Sequence, residues 1–591
     1  MFSRTNRYFT LTPDIRSRYY VYCTQIILGR HVMKTGAQIL ADLLVSNGTR
    51  FVFHMPGESF LSAIDALSGH RDKVTAISCR NETGMAVMAE ATGKLTGKPG
   101  VCFVTRSPGA TNACLGVHTA FQDSSPMILI VGQAGQFETE RDAFLQYQDF
   151  PNMFAPMSKW VAQVDSAQRL PEIVSRAFHT ALSGRPGPVV LVIPENVLNE
   201  ECRPQNVAPV QAIQPSPSRE QVDALFRLLG KAKKPVLLVG GAGWDETARE
   251  QVQDFADKNK LPVVASFRRR DIIDQRHPCY AGELGIACNP KIIPWLQESD
   301  LVIAFGLRLG EMNTIGSGFM VGFTLFDVPA PRQTLVQIHS GIEELQRVYQ
   351  ADLAILASPG PMASALNRME AVAGVPWEQW TRNARAEYET FTATDNCPGP
   401  VDLAGIFRWL RERLPADAIL TNGAGTYAGW SQRYFQHYRP HTQLGPISGG
   451  MGYGLPAAIA AKLHRPEATV VALGGDGCFL MNSEELATAV KYRIAVIVLV
   501  INNDMYGAIR LHQETAFGGR DLGTSLSNPD FAALARAYGI FGATVNKTDE
   551  FEPAFEQALE SGGPALIELK INPEAINTRF TLSSISGKDH N

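Results

Sequence analysis

The chain has 591 residues, 45% of them hydrophobic and 19% charged, with a formal net charge of −4. That length exceeds a single core and suggests about three to four domains. The charge leaves no basic surplus for nucleic acid and no acidic docking tail. The nine cysteines are scattered and never spaced as C-x-x-C, which argues against a disulfide framework and against a zinc site. No apolar run reaches the ~18 to 20 residues of a membrane span, so a cytoplasmic protein is expected.

Residues 1–32 set Arg4, Arg7, Arg16, Arg18 and Arg30 against a single acid, Asp14. An Arg-rich, acid-poor start fits an organelle transit peptide. The plainer reading, preferred here, is an upstream start, with the folded chain beginning at Met33. In residues 33–202 the strand "KVTAISC" leads into a small-residue helix opened by Glu82. The strand "PGVCFVT" then leads into "RSPGATNACLGVHTAFQD", with Ser107 and Gln122, followed by "PMILIVGQ" and "RDAFLQYQDF". A Pro-rich polar stretch at 203–219 reads as a linker. Residues 220–391 repeat the rhythm with "KPVLLVGGAG", "ETAREQVQDFADKNK", "LPVVAS" and "SDLVIAFG", and a second linker spans 392–402. Residues 403–591 end the series with "ATVVALGGDG", a helix and "IAVIVLVINND". Continuous Val/Ile/Leu runs alternating with helices mean parallel sheets covered on both faces. The fold class is α/β, with three doubly wound parallel-sheet domains.

The segment from Gly474 to Asp504 concentrates the chemistry. "TVVALGG" is a buried strand. "NSEELATAVKYR" has helical spacing, with Asn482 or Ser483 a natural N-cap and Glu484 and Glu485 in the first turn. "IAVIVLVI" is the next strand. In such a β-α-β unit Asp476 and Asn503, 27 positions apart, both emerge at strand carboxyl ends, where open α/β sheets bind ligands. Gly475 and Gly477 allow a bulky anion to approach the backbone. One carboxylate with one amide oxygen is a hard, low-charge set that suits Mg²⁺ held jointly with a diphosphate. A tight turn with a capping asparagine is the structural alternative, and the 27-residue spacing weighs against it.

GDG, a helix, a strand and then NN resembles the signature of thiamine-diphosphate-dependent enzymes. The resemblance implies thiamine diphosphate and Mg²⁺ as cofactors, with Asp476, Asn503 and the Met505 carbonyl as metal ligands. It implies that Glu82 meets N1′ of the aminopyrimidine, activating the cofactor for attack on a 2-oxo acid. "LTNGAGTYAGW" is similar to the family's first diphosphate loop, which brings in the amides of Ala424 and Gly425 and the Thr426 hydroxyl. "SGGMGYGLPAAIAA" is similar to the segment beneath the thiazolium, which assigns Met451 the role of bending the cofactor, and the Gly449 carbonyl and Met451 amide the pyrimidine edge. Since the acid and the diphosphate loops of one site come from different subunits in the family, a homodimer or homotetramer is implied.

Over Met33 to about Ser583 the chain resembles the large subunit of acetolactate synthase. Four positions facing substrate are implicated. Ser107 replaces the usual glycine of "GPGATN". Gln122 is a candidate pocket residue, with an ordinary surface position the alternative. Leu145 or Gln146 matches the substrate glutamine, Gln146 being taken here. His512 stands where the family's tryptophan selects 2-ketobutyrate, so specificity should be relaxed or redirected. In the central domain "FGLRLGEMNTIGSG" keeps Arg308 but lacks the acidic pair of the family's flavin turn, and the balance is against FAD. "FRRRD" (Phe267–Asp271) could reach a nucleotide phosphate, and a solvated face is preferred. The implied function is a 2-oxo acid decarboxylase and carboligase. The alternatives are an acyloin lyase, a flavin-containing pyruvate oxidase type of enzyme, and a noncatalytic cofactor-binding homologue.

Overall fold

The computed structural model describes residues 33–142, 145–316, 321–394 and 397–586; the basic stretch at 1–32 lies outside them. Three six-stranded sheets follow one another along the chain, and every strand pairing within them is parallel. The first comprises β1 (Phe51–His54), β2 (Thr75–Ser78), β3 (Gly100–Thr105), β4 (Met127–Gln133), β5 (Trp160–Gln163) and β6 (Pro188–Pro194), in spatial order β2-β1-β3-β4-β6-β5. The second comprises β7 (Pro235–Val239), β8 (Val263–Ala265), β9 (Tyr280–Glu283), β10 (Leu301–Phe305), β11 (Thr334–His339) and β12 (Leu353–Leu356), in order β9-β8-β7-β10-β11-β12. The third comprises β13 (Ile419–Asn422), β14 (Gln443–Leu444), β15 (Val470–Gly475), β16 (Ile497–Asn502), β17 (Phe541–Val545) and β18 (Ala565–Lys570). Its order, β14-β13-β15-β16-β18-β17, repeats that of the first sheet. Strands such as β4 and β16 are buried along their whole length, as their unbroken apolar runs require.

Residues 203–218 contain no helix or strand, and the pair Lys34–Thr35 and Glu201–Cys202 ties the ends of the first domain together. At the second boundary the helix Glu378–Ala393 runs two residues into the stretch expected to be linker.

The first and third domains pack through helices rich in small residues. Helix α1 (Glu82–Thr96) is capped by Asn81, whose side chain accepts from the Thr83 amide at 2.8 Å. It lies against α2 (Arg106–Asp123) and α3 (Gly454–His464), and one apolar cluster runs from Met85 and Ala89 across to Ala457 and Ala461. The glycines in this packing mark close approach: a Cβ at Gly116 would stand 2.4 Å from that of Ala86. The Gly/Ala composition of α1 and α3 is therefore a packing requirement of the domain junction.

Candidate functional site

In the third sheet the strand order reverses between β13 and β15, and a doubly wound sheet opens a crevice at that point. The chain leaving β13 forms the turn at 423–426, and the chain leaving β15 forms 475–477 and the short helix α4 (Asp476–Phe479). Gly475 is paired in register with Ile501 of β16, which brings Asp476 beside the Asn502–Asn503 end of that strand. A pocket of about 170 Å³ opens there. It is lined by Ala424, Gly425 and Thr426 from the first turn, Gly449 and Met451 from the loop before α3, Gly475, Asp476 and Gly477, and Asn503 and Met505. The structure thus gathers ten of the eleven expected cofactor-binding residues around one space.

Local detail explains the residue types. A Cβ at Gly475 would lie 2.8 Å from the Tyr427 ring, and one at Gly477 would lie 2.5 Å from the Tyr506 ring, so both positions need glycine for room. Gly449 adopts φ +74° and has no atom within 4 Å of where a Cβ would stand, so its backbone borders open space. One Asp476 oxygen accepts from the Gly477 amide at 2.9 Å and the other from Asn528 Nδ2 at 2.8 Å. Burial pushes the Asp476 carboxyl above its ordinary pKa despite those bonds. Asn528, which sequence reasoning missed, also places Nδ2 3.0 Å from Asn502 Oδ1 and 2.9 Å from Asp504 Oδ1. Asn482 does not cap the following helix: its amide donates to the Gly452 carbonyl at 2.9 Å and ties down the loop that carries Met451. One Glu485 oxygen accepts from the Arg80 and Asn81 amides, both at 3.0 Å, at the foot of α1, and the other accepts from the Thr488 hydroxyl at 2.5 Å.

Glu82 begins α1, half-buried, and does not line this pocket. Its carboxylate accepts from Asn112 Nδ2 at 3.0 Å, and the bare Gly109 leaves room for it. Ser107 and Gln146 are neighbours, the Ser107 amide donating to the Gln146 carbonyl at 3.3 Å, and neither lines the pocket. Gln122 borders a different cavity, of about 450 Å³, at the switch point of the central sheet. That cavity is also lined by Gly241, Gly306 and Arg308. There Arg308 donates to the Gln122 carbonyl at 2.9 Å and pairs with Glu344 at 3.2 Å. His512, on α5 (Gly507–Phe517), lines a cavity of about 390 Å³ that shares Ala424, Gly425, Thr426 and Gly449 with the first pocket.

The chain matches the family models for the thiamine pyrophosphate enzyme N-terminal TPP binding domain over residues 34–153, the central domain over 222–366 and the C-terminal TPP binding domain over 423–569. It is 31% identical to the acetolactate synthase isozyme 2 large subunit of Escherichia coli K12, covering 91% of this chain and 95% of that one. It is also 31% identical to the acetolactate synthase large subunit of Corynebacterium glutamicum, over 92% and 87% of the two chains. A third relative, the mitochondrial acetolactate synthase catalytic subunit of Aspergillus candidus, is 30% identical over 91% and 80%. The chain belongs to the thiamine pyrophosphate enzymes. Among the described residues, no helix is long and apolar enough to cross a membrane.

The pocket fits the family's cofactor. Its glycines leave a cradle that any side chain would fill, and its donors are one carboxylate, one amide and a main-chain carbonyl, a set Mg²⁺ would complete with phosphate and water oxygens. A cation there would also reverse the rise in the Asp476 pKa.

The loop beneath the pocket is anchored by the first domain of the same chain. Asp123, at the end of α2, accepts from the Ile447 amide at 2.8 Å and the Ser448 amide at 3.2 Å. Lys94 bonds Asp123 and the Gly445 carbonyl, and Glu90 accepts from Lys94, Ser125 and Tyr453. Burial alone would lower the Lys94 pKa; the two carboxylates outweigh it and hold the ammonium above its ordinary value.

The "FRRRD" segment is not a solvated face. Arg268, Arg269 and Arg270 are all buried, because the segment leaves β8 into the junction with the third domain, where main-chain carbonyls receive the guanidinium groups. Arg269 reaches the Gly241 carbonyl; Arg270 reaches the Gln432 and Phe435 carbonyls and pairs with Glu283 at 3.4 Å. A fork of five donors suits such a cluster of carbonyls.

Proposed function

We propose that this protein is a thiamine-diphosphate- and Mg²⁺-dependent enzyme that removes CO₂ from a 2-oxo acid and joins the remaining acyl unit to a second carbonyl compound, in the manner of the acetolactate synthases it resembles. The observation that carries the reading is the single pocket at the β13/β15 switch point lined by Ala424 to Thr426, Gly449, Met451, Asp476, Asn503 and Met505. Bound thiamine diphosphate supplies a nucleophilic ring carbon and an electron sink for the loss of CO₂. The chain does the rest. Asp476, Asn503 and the Met505 carbonyl would hold the metal. The turn at 424–426 would receive the diphosphate, and Met451 would take the place of the residue that bends the cofactor in the family. Glu82 keeps and moves the proton at the pyrimidine N1′, steadied by Asn112.

Glu82 does not line the pocket of its own chain, and this supports a homo-oligomer in which Glu82 serves the diphosphate loops of a second copy. Co-expressing Glu82→Gln with Asp476→Ala tests the arrangement. Each variant alone is inactive, and random mixing in dimers restores about a quarter of wild-type activity if sites form between copies. No recovery would place Glu82 in its own chain's site. His512, lining the adjoining cavity where the family's tryptophan would stand, supports a widened acceptor range. The reaction is tested by incubating purified protein, thiamine diphosphate and Mg²⁺ with a panel of 2-oxo acids and acyloins and reading the products by mass spectrometry. Carboligation products from 2-oxo acids support the proposal. Cleavage of acyloins with inertness toward every 2-oxo acid would replace it with a lyase. The proposal includes no flavin, since Arg308 is already paired with Glu344; a purified protein with flavin absorbance would correct that point.

A further inference from the structure

Glu485 is a buried carboxylate that the proposed reaction leaves without a task. It closes the 3-10 turn Ser483–Glu485 that follows α4, and its side chain reaches out of the third domain into the first. One oxygen receives two consecutive amides, those of Arg80 and Asn81, and the other receives the Thr488 hydroxyl. Two successive N–H groups form a concavity that favours an anion, and α1 begins at the next residue, so its dipole adds to the attraction. No part of Glu485 is exposed, and among the described residues no cation forms an ion pair with it. Burial pushes its carboxyl above the ordinary pKa, against the pull of Thr488 and the two amides. Keeping a carboxylate in such a place is costly, and the cost points to a role beyond filling space.

The corner that Glu485 grips is the one that aims Glu82. Strand β2 ends at Ser78, and the short stretch Cys79–Asn81 leads straight into Glu82 at the start of α1. The amides of Arg80 and Asn81 rest on Glu485, and the Ser78 amide donates to the Tyr492 hydroxyl at 2.8 Å. Tyr492 follows directly on the helix Leu486–Lys491, so both supports come from one segment of the third domain. Contact extends onto the helix itself. A Cβ at Gly84 would stand 2.8 Å from Glu485 Cγ, so the first turn of α1 lies directly on that side chain. Neither Glu485 nor Tyr492 lines the cofactor pocket. We infer that Glu485, supported by Tyr492, is a positioning residue for Glu82: it fixes the start of α1 so that the Glu82 carboxylate meets the pyrimidine N1′ at proton-transfer distance. This rests on the role given to Glu82 above. A reacting group displaced by about 1 Å costs on the order of 100-fold in rate, which gives a remote brace a measurable effect.

The test is deuterium exchange at the thiazolium C2 of thiamine diphosphate bound with Mg²⁺, read by ¹H NMR after acid quench with no 2-oxo acid present. The rate is taken per bound cofactor, so a loss of folded protein or of cofactor does not move it. Glu485→Gln should slow this exchange at least about tenfold while thiamine diphosphate affinity stays within about threefold of wild type. Tyr492→Phe, which removes one hydroxyl from the same corner, should slow it by about threefold, and it decides the matter by the same criterion if Glu485→Gln does not fold. An unchanged rate per bound cofactor would overturn the inference, even with a lower Tm. Backbone hydrogen–deuterium exchange of the peptide spanning residues 78–85, read by mass spectrometry, separates the two claims. If wild type speeds C2 exchange no more than free solution does, yet Glu485→Gln loses amide protection at 78–85, the brace stands and the reading of Glu82 falls. If that peptide is equally protected in wild type and variant, the brace falls.

Discussion

Asp476 is the residue on which the candidate metal site turns, because it is the one carboxylate lining the pocket and its charge is raised in cost by burial. Asp476→Ala should weaken thiamine diphosphate binding in the presence of Mg²⁺ by about 100-fold, since the diphosphate would lose its bridging cation. Isothermal titration reads this, and an affinity within about threefold of wild type would show that the metal is held elsewhere. At this scale much was legible in the sequence. The 27-residue interval between Asp476 and Asn503, set on a strand-helix-strand pattern, brought together two residues that the pocket does bring together. Asn528 was not legible, because its approach to Asp476 depends on a loop crossing back over the site from 52 positions downstream. Arg268 was misread for a related reason. Three adjacent arginines look like a solvated face until the junction supplies carbonyls enough to receive them.

Among the elements, the loop 446–451 matters most, since it carries Gly449 and Met451 and is fastened to the end of α2 rather than to its own sheet alone. Asp123 holds two of its amides, and Lys94 with Glu90 keeps that carboxylate in place. Asp123→Asn leaves Lys94 and Glu90 without their third charge in a buried cluster. Breaking such a set costs about 3 to 5 kcal/mol, enough to lower Tm by several degrees, and it frees the loop. The expected result is a lower Tm together with at least about tenfold weaker thiamine diphosphate binding, read by differential scanning fluorimetry with and without cofactor. A lower Tm with unchanged cofactor affinity would reduce Asp123 to a purely structural role. The strands and helices here followed from period and turn chemistry. The exception is the stretch 482–493, expected to be one capped helix. It forms a 3-10 turn (Ser483–Glu485) and then the short helix Leu486–Lys491, with the Asn482 side chain bonded to the Gly452 carbonyl instead of capping.

For the whole molecule, the three sheets were legible from their unbroken apolar runs, but how they join was not. The shared order of the first and third sheets and the docking of α1 on α3 arise from long-range packing that leaves no periodic trace in the sequence. One junction between domains carries a pH signature. Glu283, at the end of β9 beside Arg270, has its pKa raised to about 7 by burial, only partly offset by Arg270 and Arg268. Its folded pKa lies above the ordinary 4.5, so the folded protein binds the extra proton. The stability this supplies is complete below about pH 4.5 and is lost as the pH rises through about 7. Glu283→Gln, which stays neutral, should flatten that fall, so that wild type loses more Tm than the variant between pH 5 and about 7.5. Parallel curves over that range would mean the Arg270 pair keeps Glu283 ionised throughout.

The central claim is that this fold decarboxylates a 2-oxo acid through a cofactor activated at Glu82, and release of labelled CO₂ from [1-¹³C]pyruvate tests it most directly. Wild-type protein supplied with thiamine diphosphate and Mg²⁺ should release ¹³CO₂ catalytically. Glu82→Gln should lose about 100-fold or more of that rate, the usual scale of a removed proton-transfer group, while still binding thiamine diphosphate. Release by Glu82→Gln at close to the wild-type rate would contradict the account.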